Sequence, residues 1–162
     1  MVILGIDPGT ARTGYGVIRK IGSSVACIEY GCIETSKLKK PEERLLSLEE
    51  DLLKVLKKHK PDIMVVERLY FFKNLKSVMP VSEARGVILL AIAKKKLPVF
   101  EITPLQAKMA ITGYGRADKK QVQRMVQRVL KLKDLPKPDD AADALAMAIA
   151  YAFNATALSK IF

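Results

Sequence analysis

Apolar residues dominate the start of the chain and predict a buried strand over residues 2–6, ended by the turn signal Asp7-Pro8-Gly9-Thr10. An extended pattern resumes at Gly14-Tyr15-Gly16-Val17-Ile18, and a third strand is predicted across residues 24–35. Short runs broken by turns imply antiparallel neighbours. After Pro41 the period changes: Leu45, Leu48, Leu52, Val55 and Leu56 recur at helical spacing until Lys60-Pro61 closes the segment. Residues 62–66 are nearly all apolar, as a central strand covered on both faces requires, and the run ends in Glu67.

A loop through residue 74 is followed by a predicted helix over about residues 77–96, beginning close enough to Pro80 to leave that proline in its first turn. From residue 87 to 93 this helix is apolar all round. It therefore needs cover on two sides, from a deep core or, in a domain this small, from a second subunit. A strand over 97–102, a short helix from Pro104, a loop at Gly113-Tyr114-Gly115, a helix over 119–130 and a last helix from about Asp139 to Ala155 complete the chain. Strands first, then alternating helices and strands, predict an α/β sandwich of mixed pairing. No repeat, linker or low-complexity segment interrupts it, so residues 1–162 are expected to form one domain.

Charge adds the first functional information. The 28 Lys and Arg against 17 Asp and Glu give a formal net charge of +11, which favours phosphate backbones or anionic membranes. The longest apolar run is far too short to span a bilayer and the N-terminus has no leader pattern, so a cytoplasmic, soluble protein is expected. Cys27 and Cys32 lack partners at metal-binding spacing and read as buried free thiols. His59, at the end of a lysine-rich helix, reads as solvated.

The candidate chemistry is acidic. Asp7 and Glu67 end apolar strands, while Asp140 and Asp143 fall in the first turn of the last helix, about 60° apart around its axis. Carboxylates brought together repel unless a cation sits among them, and a set of oxygen ligands alone suits Mg²⁺ or Mn²⁺. Singly, each has a plainer use: Asp7 as a turn anchor, Asp139 or Asp140 as a helix cap. Spacing alone does not bring them together. Lys119 and Lys120 open a helix, where the dipole disfavours cations, so a nearby anion would relieve the conflict.

Three ordered segments, Gly5-Ile6-Asp7-Pro8-Gly9-Thr10, Val66-Glu67 and Asp140-Ala141-Ala142-Asp143-Ala144-Leu145-Ala146, resemble the acidic motifs of the RuvC family of Holliday-junction resolvases. Glu83-Ala84-Arg85-Gly86-Val87 and residues 117–126 resemble that family too, and the likeness runs from the first strand to about Ala152. It implies an RNase H-like fold of the retroviral integrase superfamily, a mixed five-stranded sheet flanked by helices. It also implies a homodimer making paired symmetric nicks in four-way DNA junctions, with Mg²⁺ as cofactor and Mn²⁺ as a substitute. A RuvA-RuvB type branch-migration complex is the implied partner.

By position, Asp7, Glu67, Asp140 and Asp143 would be the metal-binding catalytic carboxylates, and Asp139, outside the motif, a cap. Lys108 and Lys119 would lie near the scissile strand, with Lys120 beside them. Tyr70 would stand at the DNA groove, with Phe71 and Phe72 in the core. Three other readings compete: an RNase H-like nuclease acting on RNA precursors, a junction-binding protein without catalysis, and an actin-like ATPase. The last needs a second domain and a second phosphate loop, which this chain lacks.

Overall fold

Three consecutive strands, β1 (Val2–Asp7), β2 (Arg12–Ile21) and β3 (Ser24–Glu34), form the antiparallel meander that the extended runs predict. After α1 (Pro41–His59), β4 (Ile63–Glu67) pairs parallel to β1; after α2 (Leu75–Lys94), β5 (Val99–Ile102) pairs parallel to β4. The sheet order is β3-β2-β1-β4-β5, mixed and five-stranded. Helices α3 (Pro104–Thr112), α4 (Lys119–Leu130) and α5 (Asp139–Leu158) complete the chain. The structure is a computed structural model and describes residues 1–68 and 75–158.

Alternation along the strands gives each face its own core. Leu4, Ile6, Val17, Met64 and Val66 point to α1 and α2, where Leu48, Leu52 and Leu56 form the buried stripe of α1 at four-residue spacing. Ile3, Ile18, Val65 and Ile102 point to the other face, against α5, with α3 and α4 contributing to the same core. Strand β4 is buried on both faces, with Met64, Val65 and Val66 fully inaccessible.

The helix covered on all sides is α5 rather than α2. Its residues from Ala141 through Ala150, Asp143 excepted, are all buried. The reason lies in the small residues of the strands beneath it. A Cβ on Gly5 would stand 2.0 Å from the Ala144 carbonyl oxygen, and one on Gly14 would stand 2.0 Å from that of Asp140. Gly16 meets Leu145 less closely, its Cβ falling 2.7 Å from the backbone nitrogen. Glycines on β1 and β2 thus make a trough into which an alanine-rich helix settles backbone to backbone.

Several expectations need correction. Helix α2 begins at Leu75, so Pro80 lies beyond its first turn and withholds one N–H from the helix ladder. The expectation for the middle of α2 is not among them: within this chain it buries one side only, through Ala84, Ile88, Ala91 and Ile92, while Met79 and Leu90 are 68% and 53% exposed, which leaves its second cover to come from outside. Cys27 and Cys32 are free as expected, but half-buried on an edge strand. The His59 side chain is only 6% exposed and sits 3.2 Å from Glu29, so it is not solvated. Among the described residues, no helix is long and apolar enough to cross a membrane.

Candidate active site

The parallel pairing of β1 and β4 fixes the first two carboxylates. Ile6 lies beside Val66, so Asp7 and Glu67 follow at adjacent strand ends. Both share the face of Ile3 and Val65, turned towards α5. Asp7 also pairs with Gly14 on β2, the residue whose missing side chain admits the Asp140 carbonyl. The same trough that seats α5 therefore delivers its first turn, with Asp140 and Asp143, to the end of β1.

Electrostatics records the gathering. Burial, then the charge of Glu67 and a hydrogen bond shared with it, then Asp143 and Asp140, push the Asp7 carboxyl up to about 9. Glu67 is raised by burial and by Asp143, against the bond from Asp7. Asp143 is raised chiefly by burial, opposed by the cations of Lys119 and Lys108. Asp7 and Glu67 are both pushed towards their protonated forms, so the metal-free cluster carries less than its full negative charge at neutral pH. Among the described residues no three such side chains close on a single point. The arrangement spreads outward from Asp7, which interacts with all three others.

A cavity of about 120 Å³ opens beside the cluster, lined by Glu67, Asp143, Lys108, Lys119, Ala107 and Met147 among others. Lys108 reaches it from α3 and Lys119 from the first position of α4. Both helices are fixed by capping boxes: Thr103 accepts from the Gln106 N–H at 3.1 Å, and Asp118 from that of Gln121 at 2.8 Å. Lys120 is exposed and lines no cavity with these residues. The anion expected near Lys119 is supplied inside the chain, by the Asp118 cap, by Asp139 at 3.8 Å and by Asp143.

Asp139 is not a cap. The Pro138 carbonyl takes the N–H groups of Ala141 and Ala142, while the Asp139 carboxylate turns to Gln123 at 2.7 Å. Two cations missed by the sequence reading, Arg12 and Lys137, line an open groove of about 640 Å³ with Lys119, Asp139 and Asp140. No spacing rule marked them, because they are two of many scattered basic residues that only the fold assembles. Tyr70, with Phe71 and Phe72, lies outside the described residues.

A mixed five-stranded sheet with carboxylates at the ends of β1 and β4 and in the first turn of the helix crossing them defines an α/β protein of the RNase H-like class. The profile described as Crossover junction endodeoxyribonuclease RuvC matches residues 3–151. The chain belongs to this RuvC family. Crossover junction endodeoxyribonuclease RuvC of Petrotoga mobilis is 53% identical over 93% of each chain. That of Pelotomaculum thermopropionicum is 49% identical over 96% of this chain and 95% of the relative. Among solved structures, Thermus thermophilus RuvC in complex with a Holliday junction substrate has a TM-score of 0.87 at 32% identity, covering 97% of this chain and 96% of that one.

Proposed function

We propose that this protein resolves four-way DNA junctions by a pair of symmetric hydrolytic nicks, in bacterial DNA recombination and repair. The observation that carries the reading is the desolvated Asp7 carboxyl gathered with Glu67, Asp143 and Asp140, beside a cavity edged by Lys108 and Lys119. Family membership and the likeness to a junction-bound RuvC point to the substrate. The RNA-directed and binding-only readings have no observation in their favour.

The carboxylates suit divalent cations. Burial and mutual repulsion raise three of them, a conflict that a bound cation removes. We assign Asp7, Glu67, Asp140 and Asp143 to hold Mg²⁺, with Mn²⁺ as a substitute. When bound, such ions supply Lewis acidity and an activated water for phosphodiester hydrolysis.

The chain's own residues do the rest. Lys108 and Lys119 place positive charge at the mouth of the cavity, where a phosphate approaches, and hold down the Asp143 carboxyl. Arg12 and Lys137 extend that charge along the open groove, and we assign it to the DNA backbone. Lys120 adds to the basic field from outside, and Tyr70 stacks on bases exposed at the branch point.

The protein acts as a homodimer, because two nicks on opposed strands call for two sites related by a two-fold axis. The exposed apolar side of α2, with Met79 and Leu90, is the interface. It works in the cytoplasm with a RuvA-RuvB type branch-migration complex. The test is a labelled synthetic junction and a matched duplex, each with Mg²⁺ or EDTA, alongside Asp7→Asn. Paired nicks lost with EDTA or with the variant support the proposal, whereas tight binding without cleavage refutes catalysis.

A further inference from the structure

Glu67 is held from both sides of the sheet. Its carboxylate faces α5, but its main-chain carbonyl accepts a hydrogen bond from Nε of Arg85, on α2, at 3.4 Å. The other end of the same guanidinium pairs with the Glu101 carboxylate. The register explains why. Glu101 lies beside Val66, on the α2 face of β5, whereas Ile102 beside Glu67 points to α5. Arg85 therefore reaches the last peptide of β4 from the opposite face, braced by an acid one strand further out. A planar fork with two fixed donors suits this bridging in a way a flexible ammonium does not.

We infer that Arg85 is a positioning residue for the proposed reaction: by clamping the Glu67 peptide to Glu101 and α2, it sets the direction in which the Glu67 carboxylate leaves the strand. Glu67 is the last residue of β4. Beyond it the Arg68 N–H still bonds the Ile102 carbonyl, so the Glu67 carbonyl is the group on this peptide that Arg85 secures. A swing of this peptide moves the carboxylate within the cluster without unfolding the sheet. A displacement of about 1 Å at a reacting centre can cost about 100-fold in rate. Arg85 touches neither the carboxylate cavity nor the open basic groove, so it has no part in binding DNA there.

The inference rests on the junction-cleaving reading, and its test separates the two. Arg85→Met, Arg85→Lys and Glu101→Gln are compared with the unaltered protein in single-turnover junction cleavage with Mg²⁺, in junction binding in EDTA, and in thermal unfolding. Arg85→Met is expected to cleave roughly 30- to 100-fold more slowly while its junction affinity stays within about twofold. Arg85→Lys should recover part of the rate, and Glu101→Gln should lose about 3- to 10-fold, since the fork is then braced at one end only. Should Arg85→Met fail to fold, Glu101→Gln decides alone. Cleavage at the unaltered rate in a folded variant, or equal losses of cleavage and binding, overturns the inference. Absence of cleavage by the unaltered protein refutes the function itself.

Discussion

Replacing Asp7 by Asn should make the metal-free protein more stable, and the size of the gain follows from the site. In the fold the Asp7 carboxyl is raised from 3.8 to about 9, first by burial and then by Glu67, Asp143 and Asp140. A folded-state value above the unfolded one means stability that is complete below about pH 4 and is lost as pH climbs towards 9. About three pH units separate the ordinary value from neutrality, each worth about 1.4 kcal/mol, which sets a ceiling near 4 kcal/mol at pH 7. Sharing of one proton with Glu67 and relaxation around the site lower that ceiling, and roughly 1–3 kcal/mol is expected. In a chain of this size that is about 3–10 °C in melting temperature. Asn keeps the shape and hydrogen-bonding capacity of the protonated acid, so little packing is lost. The assay is thermal unfolding in EDTA at pH 4.5 and pH 7.5. The unaltered protein should lose stability between the two values, and Asp7→Asn should lose less. Mg²⁺ should raise the unaltered protein's melting temperature more at the higher pH, where the cluster is more fully charged. A variant no more stable at pH 7.5 than its parent, or a difference independent of pH, would refute the claim that Asp7 is strained by its neighbours.

Three further outcomes test other parts of the structure. Gly14→Ala places a Cβ 2.0 Å from the Asp140 carbonyl oxygen, so the first turn of α5 must move. A loss of about 3 kcal/mol in urea unfolding and near-complete loss of cleavage are expected, and a fully active variant would contradict the trough. Lys119→Ala removes the larger of two cations opposing the rise of Asp143 and should slow single-turnover cleavage roughly 100-fold. Its effect on junction affinity should be smaller, and equal losses would make Lys119 a simple backbone contact. Leu90→Asp, on the exposed side of α2, should shift the protein from dimer to monomer in sedimentation without lowering its melting temperature by more than a few degrees. A variant that still sediments as the parent does would place the interface elsewhere.

The order and type of the elements were legible because each rests on a local signal. Leucines at helical spacing identified α1, and Val122, Val126 and Leu130, all buried at four-residue spacing, belong to a helix predicted over the same residues as α4. The start of α2 was misjudged because the rule confining proline to a first turn is local, whereas the packing of Ala84, Ile88 and Ile92 sustains the helix beyond it. His59 was misread for a related reason. Its neighbours Lys57, Lys58 and Lys60 are exposed, but the helix end brings its ring to Glu29, a residue of β3 some thirty positions away.

The site was legible in a different measure. Asp7 and Glu67 were visible as acids ending apolar strands, and Asp140 and Asp143 as a pair in one helical turn, yet no spacing joined Asp7 to Asp140, and the motif likeness had to do so. The structure supplies the missing link in Gly5, Gly14 and Gly16, which read in the sequence only as features of strands. Their function is collective: with glycine at three neighbouring positions on the α5 face of β1 and β2, between Ile3 and Ile18, the backbone of α5 lies directly on the sheet there, and its first turn reaches Asp7. Glycine here is not serving a turn, since all three lie within paired strands. The consequence is that the placement of Asp140 depends on strands that carry no carboxylate of the cluster beyond Asp7. Substitutions in that trough should therefore impair cleavage as severely as loss of a carboxylate, while leaving the acidic set intact in sequence.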